Sequence, residues 1–92
     1  MHDLSWRRIG DRIEVEYVVE NRRPGRLVCR NDLIQAFQRG VSLEETGEDV
    51  EVTLLRGAVV TLSQTFRVRD GSTPVFQISQ GETIPGKGGN DE

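Results

Sequence analysis

The chain has 92 residues, and few of them could act as a nucleophile with a general base. Such a pair needs a base that titrates near neutral pH, which is usually a histidine. The only histidine is His2, close to the amino terminus, where chains are commonly mobile. The only cysteine, Cys29, falls on the apolar side of a predicted strand, so we interpret it as a small buried residue. The sequence therefore predicts no nucleophilic catalysis.

Other kinds of chemistry also lack their usual patterns. Glu14 with Glu16 and Glu44 with Glu45 are paired carboxylates, but no apolar pocket that would raise a carboxylate pKa is indicated around them. One histidine and one cysteine cannot complete a four-ligand zinc site, and the carboxylates are too irregularly spaced for an EF-hand. The glycine-rich residues 86–89 are not followed by a helix, as a phosphate-binding loop requires. We therefore expect no enzyme, no cofactor and no metal.

A cluster of arginines is the first pattern that indicates binding. Arg22, Arg23 and Arg26 fall within and beside a predicted turn. Guanidinium groups bind carboxylates and phosphates, so a turn that presents three of them can contact an acidic protein or a nucleic acid. The alternative is a solvated turn whose charges keep the hairpin soluble, with Arg26 paired to Glu20.

A second group of candidate binding residues is acidic. Carboxylates alternate along one face of a predicted strand and recur densely in a later loop. They are Glu14, Glu16, Glu20, Glu44, Glu45, Glu48, Asp49 and Glu51. A run of charge is usually a solvated face, and that is one interpretation. The other is a surface that mimics a phosphate backbone and occupies a basic groove of another protein, as small phage-encoded inhibitors do.

The elements that position these residues begin with strands. Strict alternation of apolar and polar residues predicts a strand over residues 12–20. A short strand over residues 4–9 precedes it and ends in a Gly-Asp turn. The parity of the side chains favours a five-residue loop, 21–25, followed by a returning strand, 26–30, that pairs with strand 12–20 as a hairpin.

One helix is predicted over residues 31–39. Asn31 is a favourable N-cap, Arg39 complements the helix dipole, and Gly40 follows as the C′ residue. At roughly 1.5 Å per residue the helix is short, so packing on a sheet must stabilise it. Its apolar stripe consists of Leu33, Ile34 and Phe37, extended by Val41.

The last part of the domain is predicted to consist of two hairpins. Their strands are expected at residues 50–55, 59–68 and 73–79. A loop over residues 56–58 joins the first two strands. The register of the second hairpin stays open, because a two-residue Asp-Gly turn separates Phe66 from Phe76, whereas a three-residue loop pairs them.

Together these elements predict an α+β fold in one domain, residues 1–80. An antiparallel sheet of four or five strands carries one short helix packed on one face, in the order β-(β)-β-α-β-β-β. Residues 81–92 are rich in glycine and lack periodicity, so they predict a flexible tail. The predicted core comprises Ile13, Val15, Tyr17, Val19, Leu27, Leu33, Ile34, Phe37, Val52, Leu54, Val60, Leu62 and Phe66.

The element order combined with this tail carries one resemblance at the level of the fold. A β-β-α-β-β order followed by Gly88 and Gly89 resembles in outline the ubiquitin-like β-grasp modifiers. The resemblance implies that a Gly-Gly end threads into an activating enzyme. Asn90, Asp91 and Glu92 would first have to be removed.

Composition limits the remaining functions. No apolar run approaches the ~20 residues that span a bilayer, and the first residues lack the pattern of a signal peptide, so we expect a cytoplasmic chain without a membrane partner. By elimination, the leading hypothesis is a non-enzymatic protein-binding module, an adaptor or an inhibitor, that acts through its charged surfaces. Its predicted partner-binding residues are Arg22, Arg23, Arg26, Glu14, Glu16, Glu44, Glu45, Glu48 and Asp49.

Two alternatives to this hypothesis stay open. Nucleic acid could bind the three arginines, although the net charge of -3 and the scarcity of aromatic residues near them argue against it. A homodimer is the other alternative, through a free sheet edge or through an exposed apolar patch at Leu55 and Val59, which would equally favour a protein partner.

Overall fold

The computed structural model describes residues 2–78, 83–84 and 87–90, and every regular element in them is a strand. Eight of the strands form three small antiparallel sheets. In chain order they are β1 (His2–Ile9), β2 (Arg12–Glu20), β3 (Leu27–Arg30), β4 (Ile34–Gln38), β5 (Val41–Ser42), β6 (Glu51–Leu54), β7 (Val59–Arg67) and β8 (Val75–Ile78). Two short strands follow, β9 (Thr83–Ile84), antiparallel to β8, and β10 (Lys87–Asn90), parallel to β1.

The predicted α+β class is therefore wrong, and the described part of the chain is all-β. It contains no helix, and so no helix long and apolar enough to cross a membrane.

β2 lies between β1 and β7 in a four-stranded sheet, β10-β1-β2-β7, which we call the central sheet. Its side chains alternate, so that Ile13 and Tyr17 are completely buried. Ile13 lies opposite Phe66 and Tyr17 lies opposite Leu62 on β7, which places all four side chains on the inner face. The strand predicted over residues 12–20 is confirmed.

β1 joins β2 through the tight turn that was predicted. Ile9 lies opposite Arg12, and Gly10 and Asp11 connect them. Gly10 has a φ of 57°, which glycine adopts without steric cost. Near the start of β1 the register shifts by one residue around Asp3, which has a φ of 53° and forms a bulge.

Two smaller sheets complete the fold. β3 and β6 form a two-stranded ribbon in which Cys29 lies opposite Val52. In the third sheet β4 lies between β5 and β8, with Ala36 opposite Phe76. Buried side chains from all three sheets form one continuous core cluster.

The helix predicted over residues 31–39 is wrong, because this segment contains strand β4. Ile34, Ala36 and Gln38 are all buried, and this period of two is that of a strand rather than of a helix. Phe37, which the helical stripe placed in the core, is half-buried on the opposite face. Because this strand has only five residues and one of its buried residues is a glutamine, its apolar residues also fit the spacing of a helix. The sequence pattern therefore could not distinguish the strand from a helix.

The residues predicted to cap the helix have other roles. Asn31 is buried, and its Nδ2 donates to the carbonyl oxygens of Glu48 at 2.7 Å and Ser63 at 3.1 Å. Arg39 and Gly40 have φ values of 50° and 77°, which are typical of a two-residue hairpin turn, and they join β4 to β5. A glycine after apolar residues marks both a helix end and such a turn, which explains the error.

The hairpin predicted between residues 12–20 and 26–30 does not form. β2 is flanked by β1 and β7, and β3 pairs with β6. Val19, for example, lies opposite Val60 of β7. The alternation of side chains distinguishes between possible registers of one hairpin. It cannot show that a strand distant in sequence, here β7, takes the edge of β2 instead.

The turn predicted around Arg56 and Gly57 forms, but the hairpin does not. The N–H of Ala58 donates to the carbonyl of Leu55 at 2.9 Å, and Gly57 has a φ of 80°. β6 and β7 then leave this turn for different sheets. The local turn is therefore confirmed, and the pairing of its flanking strands is wrong.

Neither predicted register of the last hairpin occurs. β8 pairs with β4 instead of β7, so Phe76 lies opposite Ala36, and Phe66 lies opposite Ile13. Both phenylalanine side chains are 2% exposed in the common core. They reach the same core from two different sheets.

Most of the predicted core is confirmed. The buried members are Ile13, Val15, Tyr17, Val19, Ile34, Leu54, Leu62 and Phe66. Leu33, Val52 and Val60 pack against them while partly exposed, whereas Leu27 is 37% exposed. The core residues absent from the prediction are Leu4, Ala36, Leu43 and Phe76.

Half of the flexible tail predicted over residues 81–92 lies outside the described residues, and its flexibility stays a prediction. The described parts of it are the backbones of β9 and β10. The resemblance to β-grasp modifiers depended on a helix, which the described residues lack, so it loses its basis.

Candidate functional site

Asn21 follows β2 and is 2% exposed. Its Nδ2 donates to the carbonyl oxygens of Gly25 at 2.8 Å and Leu54 at 3.0 Å, and its Oδ1 accepts from the N–H of Arg23 at 3.1 Å. One buried side chain therefore fixes the loop that carries the predicted arginines and ties it to the end of β6.

The backbone of Asn21 extends this connection to a second loop. Its N–H donates to the carbonyl of Ala58 at 3.0 Å, and its carbonyl accepts from the N–H of Gly57 at 2.7 Å. Loop 21–26 and turn 55–58, which are far apart in the sequence, are thus held side by side at one end of the central sheet.

This arrangement collects four arginines. Arg22, Arg23 and Arg26 lie on the first loop and Arg56 lies on the second, and all four are exposed. Arg22 Nε lies 3.3 Å from Glu20 Oε2, and no carboxylate of the described residues pairs with the other three. We call these four residues the arginine end.

Apolar side chains lie beside the arginine end. Leu55 is 61% exposed and Val59 is 56% exposed. An open groove of about 850 Å³ also lies at the arginine end, with Val19 and Leu27 as its apolar lining residues. Its other lining residues are His2, Glu20, Asn21, Arg22 and Arg23.

Glu14 and Glu16 lie on the outer face of β2. Arg7 of β1 lies opposite Glu14 and donates to its Oε1 from Nε at 3.1 Å and from Nη2 at 3.0 Å. Glu16 is exposed between Ser5 and Ser63 of the neighbouring strands. Because one of the two carboxylates is in an ion pair, this face is not a dense acidic surface. A shallow cavity of about 210 Å³ here is lined by Ser5, Trp6, Arg7, Glu14 and Glu16.

The acidic residues 44–49 follow the outer edge of β7. The N–H of Arg67 donates to the carbonyl of Glu44 at 2.9 Å, and the N–H of Thr46 donates to the carbonyl of Thr65 at 2.8 Å. These bonds satisfy backbone groups on an edge that would otherwise be open. The predicted acidic residues of the segment are all exposed: Glu44, Glu45, Glu48 and Asp49.

Glu45 connects this segment to the core. Its Oε1 accepts a hydrogen bond from Nε2 of the buried Gln64 at 2.9 Å. Desolvation raises the pKa of Glu45, the bond from Gln64 opposes that change, and the carboxylates of Asp49 and Asp32 raise the pKa further. Its carboxylate therefore has an internal partner.

The structure keeps most of the predicted acidic residues away from the arginine end, and the exception is Glu20, which pairs with Arg22. Glu44 contacts Arg67, at the end of β7 opposite to Val59 and the arginine end. Glu14 and Glu16 lie between these two ends on β2. Apart from Glu20, the predicted acidic residues and the arginine end thus lie on separate surfaces.

The residues that could support catalysis are not arranged together in the described part of the chain. Cys29 is buried as predicted, and burial raises the pKa of its thiol, which keeps it protonated at neutral pH. His2 Nδ1 lies 2.9 Å from Asp3 Oδ2 at the start of β1. No group of three His, Cys, Asp or Glu side chains among the described residues could hold a metal ion. The expectation of no enzymatic activity and no cofactor stays a prediction.

Sequence reasoning missed Arg56 as a member of the arginine end. An asparagine ahead of Arg-Arg-Pro-Gly is typical of an Asx turn, and this signal at Asn21 was available. The bonds from Asn21 to Leu54, Gly57 and Ala58 were not, because they depend on tertiary structure.

Comparison with family models, with curated proteins and with solved structures finds no match to this chain. Its function is therefore argued from the arginine end and the surfaces around it.

Proposed function

We propose that this chain is a non-enzymatic protein-binding module whose binding surface is the arginine end and whose partner is acidic. The observation that supports this most is the attachment of loop 21–26 to turn 55–58 by the buried Asn21. A surface held in place before binding loses little conformational entropy when the partner arrives. An adaptor and an inhibitor would both benefit from such a surface.

The local charge favours an acidic partner. Residues 20–27 and 55–59 contain four arginines and one acidic residue, Glu20, which gives this end a net charge of +3. The whole chain has a net charge of -3. A basic end on an acidic molecule attracts and orients an acidic partner, and it repels basic proteins.

The apolar neighbours favour a protein over an isolated anion. Leu27, Leu55 and Val59 are exposed next to the arginines, and burying apolar area together with arginine is typical of the centre of protein interfaces. A partner with carboxylates around an apolar contact would match both features.

Nucleic acid is the second candidate, because arginines on loops also bind phosphates. The strongest base stacking usually uses a Phe, Tyr or Trp side chain on the binding surface. Tyr17, Phe66 and Phe76 are buried, and Trp6 packs on Phe76 with 6.1 Å between ring centroids. Phe37, the fifth aromatic residue of the sequence, lies in β4. This distribution ranks the protein partner first.

A tagged pull-down from native lysate, with and without nuclease, tests the proposal. The test variant carries Arg23→Gln, Arg26→Gln and Arg56→Gln. The matched control variant carries Arg12→Gln, Arg67→Gln and Arg69→Gln. The control removes the same charge from the other end of the β2–β7 ladder, where Arg12 lies opposite Arg67.

We expect a stoichiometric protein that survives nuclease, is retained by the control variant and is lost by the test variant. Partners that vanish with nuclease would move the assignment to nucleic acid. In that case the slope of log affinity against log salt should become shallower in the test variant. Equal binding by both variants would contradict the role of the arginine end.

A further inference from the structure

β3 has one edge that no described strand covers. β3 pairs with β6 alone, in the register Leu27–Leu54, Val28–Thr53, Cys29–Val52 and Arg30–Glu51. The same register continues to Asn31, whose N–H donates to the carbonyl of Val50 at 3.2 Å.

This bond shows which backbone groups point outward. Along an antiparallel pair, residues alternate between those that exchange hydrogen bonds and those whose N–H and C=O groups face away. Because Asn31 bonds towards β6, Cys29 and Leu27 do so as well, and Val28 and Arg30 direct their N–H and C=O groups to the open edge. No described residue bonds to these groups of Val28 or Arg30.

The side chains along this edge select a type of partner. Val28 is 57% exposed, with the exposed Arg30 two residues after it and the exposed Arg26 two residues before it. An added strand would place one of its residues opposite Val28. The residues two positions before and after it share the same face and would lie opposite Arg26 and Arg30. An apolar residue flanked at two-residue spacing by carboxylates is complementary to this pattern.

We propose that the β3 edge binds an extended acidic segment of another protein as a third strand of the β3–β6 ribbon. The segment has the pattern acidic-x-apolar-x-acidic, with its apolar residue against Val28 and its carboxylates towards Arg26 and Arg30. The inference rests on the proposed function and specifies its binding mode, because loop 21–26 of the arginine end leads directly into β3. Arg30 also lies 3.8 Å from Glu51, a contact on the ribbon that a bound carboxylate would compete with.

The probe is a synthetic peptide with Glu-Thr-Val-Thr-Glu at its centre. The control peptide has the same sequence with its three central residues N-methylated, which keeps every charge and side chain but removes the N–H donors. Binding is measured by calorimetry at low salt. Amide hydrogen exchange, followed by NMR, reports which edge is covered.

Two proline variants separate strand addition from attraction between charges. In Val28→Pro the lost N–H is one that faces the open edge of β3, and proline is tolerated at such edge positions. Thr53→Pro is the matched control, because Thr53 lies opposite Val28 and its N–H faces the other edge of the ribbon. Both variants keep all the arginines.

We expect the peptide to bind, and both N-methylation and Val28→Pro to weaken it by about tenfold or more, whereas Thr53→Pro has little effect. In the unmodified protein, exchange of the Val28 and Arg30 amides should slow on binding, while the Glu51 and Thr53 amides stay unchanged. This second measurement decides the matter if Val28→Pro does not fold.

Other results overturn the inference in distinguishable ways. Binding that survives N-methylation and Val28→Pro but is lost with Arg23→Gln, Arg26→Gln and Arg56→Gln would refute strand addition and leave the proposed function intact. Strand addition and the proposed function would both be refuted if binding survived all of these changes. Both would also be refuted if neither the peptide nor any lysate protein bound. A dimer of the chain that Val28→Pro abolishes would assign the edge to a second copy.

Discussion

The side chain of Gln64 forms with the backbone of Ile34 the same two hydrogen bonds that a residue of a neighbouring strand would form. The carboxamide Oε1 of Gln64 accepts from the N–H of Ile34 at 3.0 Å, and its Nε2 donates to the carbonyl of Ile34 at 3.0 Å. The same side chain also accepts from the hydroxyl of Tyr17 at 2.8 Å. A single buried glutamine thus connects the central sheet to the third sheet.

Gln64 belongs to a set of buried amide side chains that connect loops and sheets. Gln38 is completely buried, donates to the carbonyls of Asp70 and Ser72, and accepts from the N–H of Arg69. Each of these side chains bonds backbone groups of a loop or of another strand, so the fold depends on polar contacts inside its core. The set consists of Asn21, Asn31, Gln38 and Gln64.

Gln64→Leu should destabilise the protein strongly. The change keeps the volume but leaves the hydroxyl of Tyr17 and the N–H and C=O of Ile34 without partners. We expect the free energy of unfolding in urea to fall by about 3–5 kcal/mol. Gln35→Leu is the control, because Gln35 is exposed on the same strand as Ile34, and a change within about 0.5 kcal/mol is expected there. A loss below about 1 kcal/mol for Gln64→Leu would contradict the pairing.

Tyr17 should titrate far above an ordinary tyrosine. Burial raises its pKa from 10.0 to about 12, the hydrogen bond with Leu33 opposes this, and the carboxylate of Glu45 adds to it. Because the folded pKa is the higher one, the stability from the protonated phenol is complete below pH 10. It is then lost as the pH rises from 10 towards 12.

This titration can be read directly, because Tyr17 is the only tyrosine. The absorbance change of the phenolate should have its midpoint near pH 12 in the native protein and near pH 10 in denaturant. Tyr17→Phe should abolish it. A native midpoint near pH 10 would show that the hydroxyl is accessible to solvent.

Arg39→Asn should stabilise the protein by about 0.5–1 kcal/mol. Arg39 has a φ of 50°, which asparagine tolerates better than arginine does. The ion pair lost with Asp70, at 3.6 Å, is screened by solvent because the Arg39 side chain is 73% exposed. Thermal unfolding measures the change. In a helix the same substitution would be destabilising, so a decrease in stability would favour the helix predicted from the sequence.

Asn21→Ala should weaken both the fold and the binding surface. It removes two donated bonds and the acceptor for Arg23, and we expect a loss of about 2–3 kcal/mol. Loop 21–26 would then have to be ordered on binding, so affinity for the partner should fall as well. Asn31→Ala is the control, since it removes comparable bonds at Glu48 and Ser63 and should lower stability without changing affinity. Equal affinities for the two variants, measured where both are folded, would contradict the role of Asn21.

Part of the candidate site could be predicted from the sequence. Arg22, Arg23 and Arg26 were expected on an exposed turn because arginine, proline and glycine follow a strand there, and they are exposed. Arg56 was not expected beside them, since its position depends on a hydrogen bond from Gly57 to Asn21. Glu45 was predicted as a surface acid, and nothing in its neighbours along the sequence indicated its contact with Gln64.

The sequence by itself determined the strands with long alternating patterns and the turns that join them locally. Alternation over residues 12–20 predicts β2, and the dipeptides at Gly10 and Gly57 predict turns, because these features depend on backbone preferences and on the faces of one strand. Tertiary structure alone decided which strands pair and that residues 34–38 form a strand. Strand pairing depends on competition between the edges of strands that are distant in sequence, and the strand at residues 34–38 depends on whether a buried glutamine finds backbone partners. Contacts of these kinds produce no periodic pattern in the local sequence.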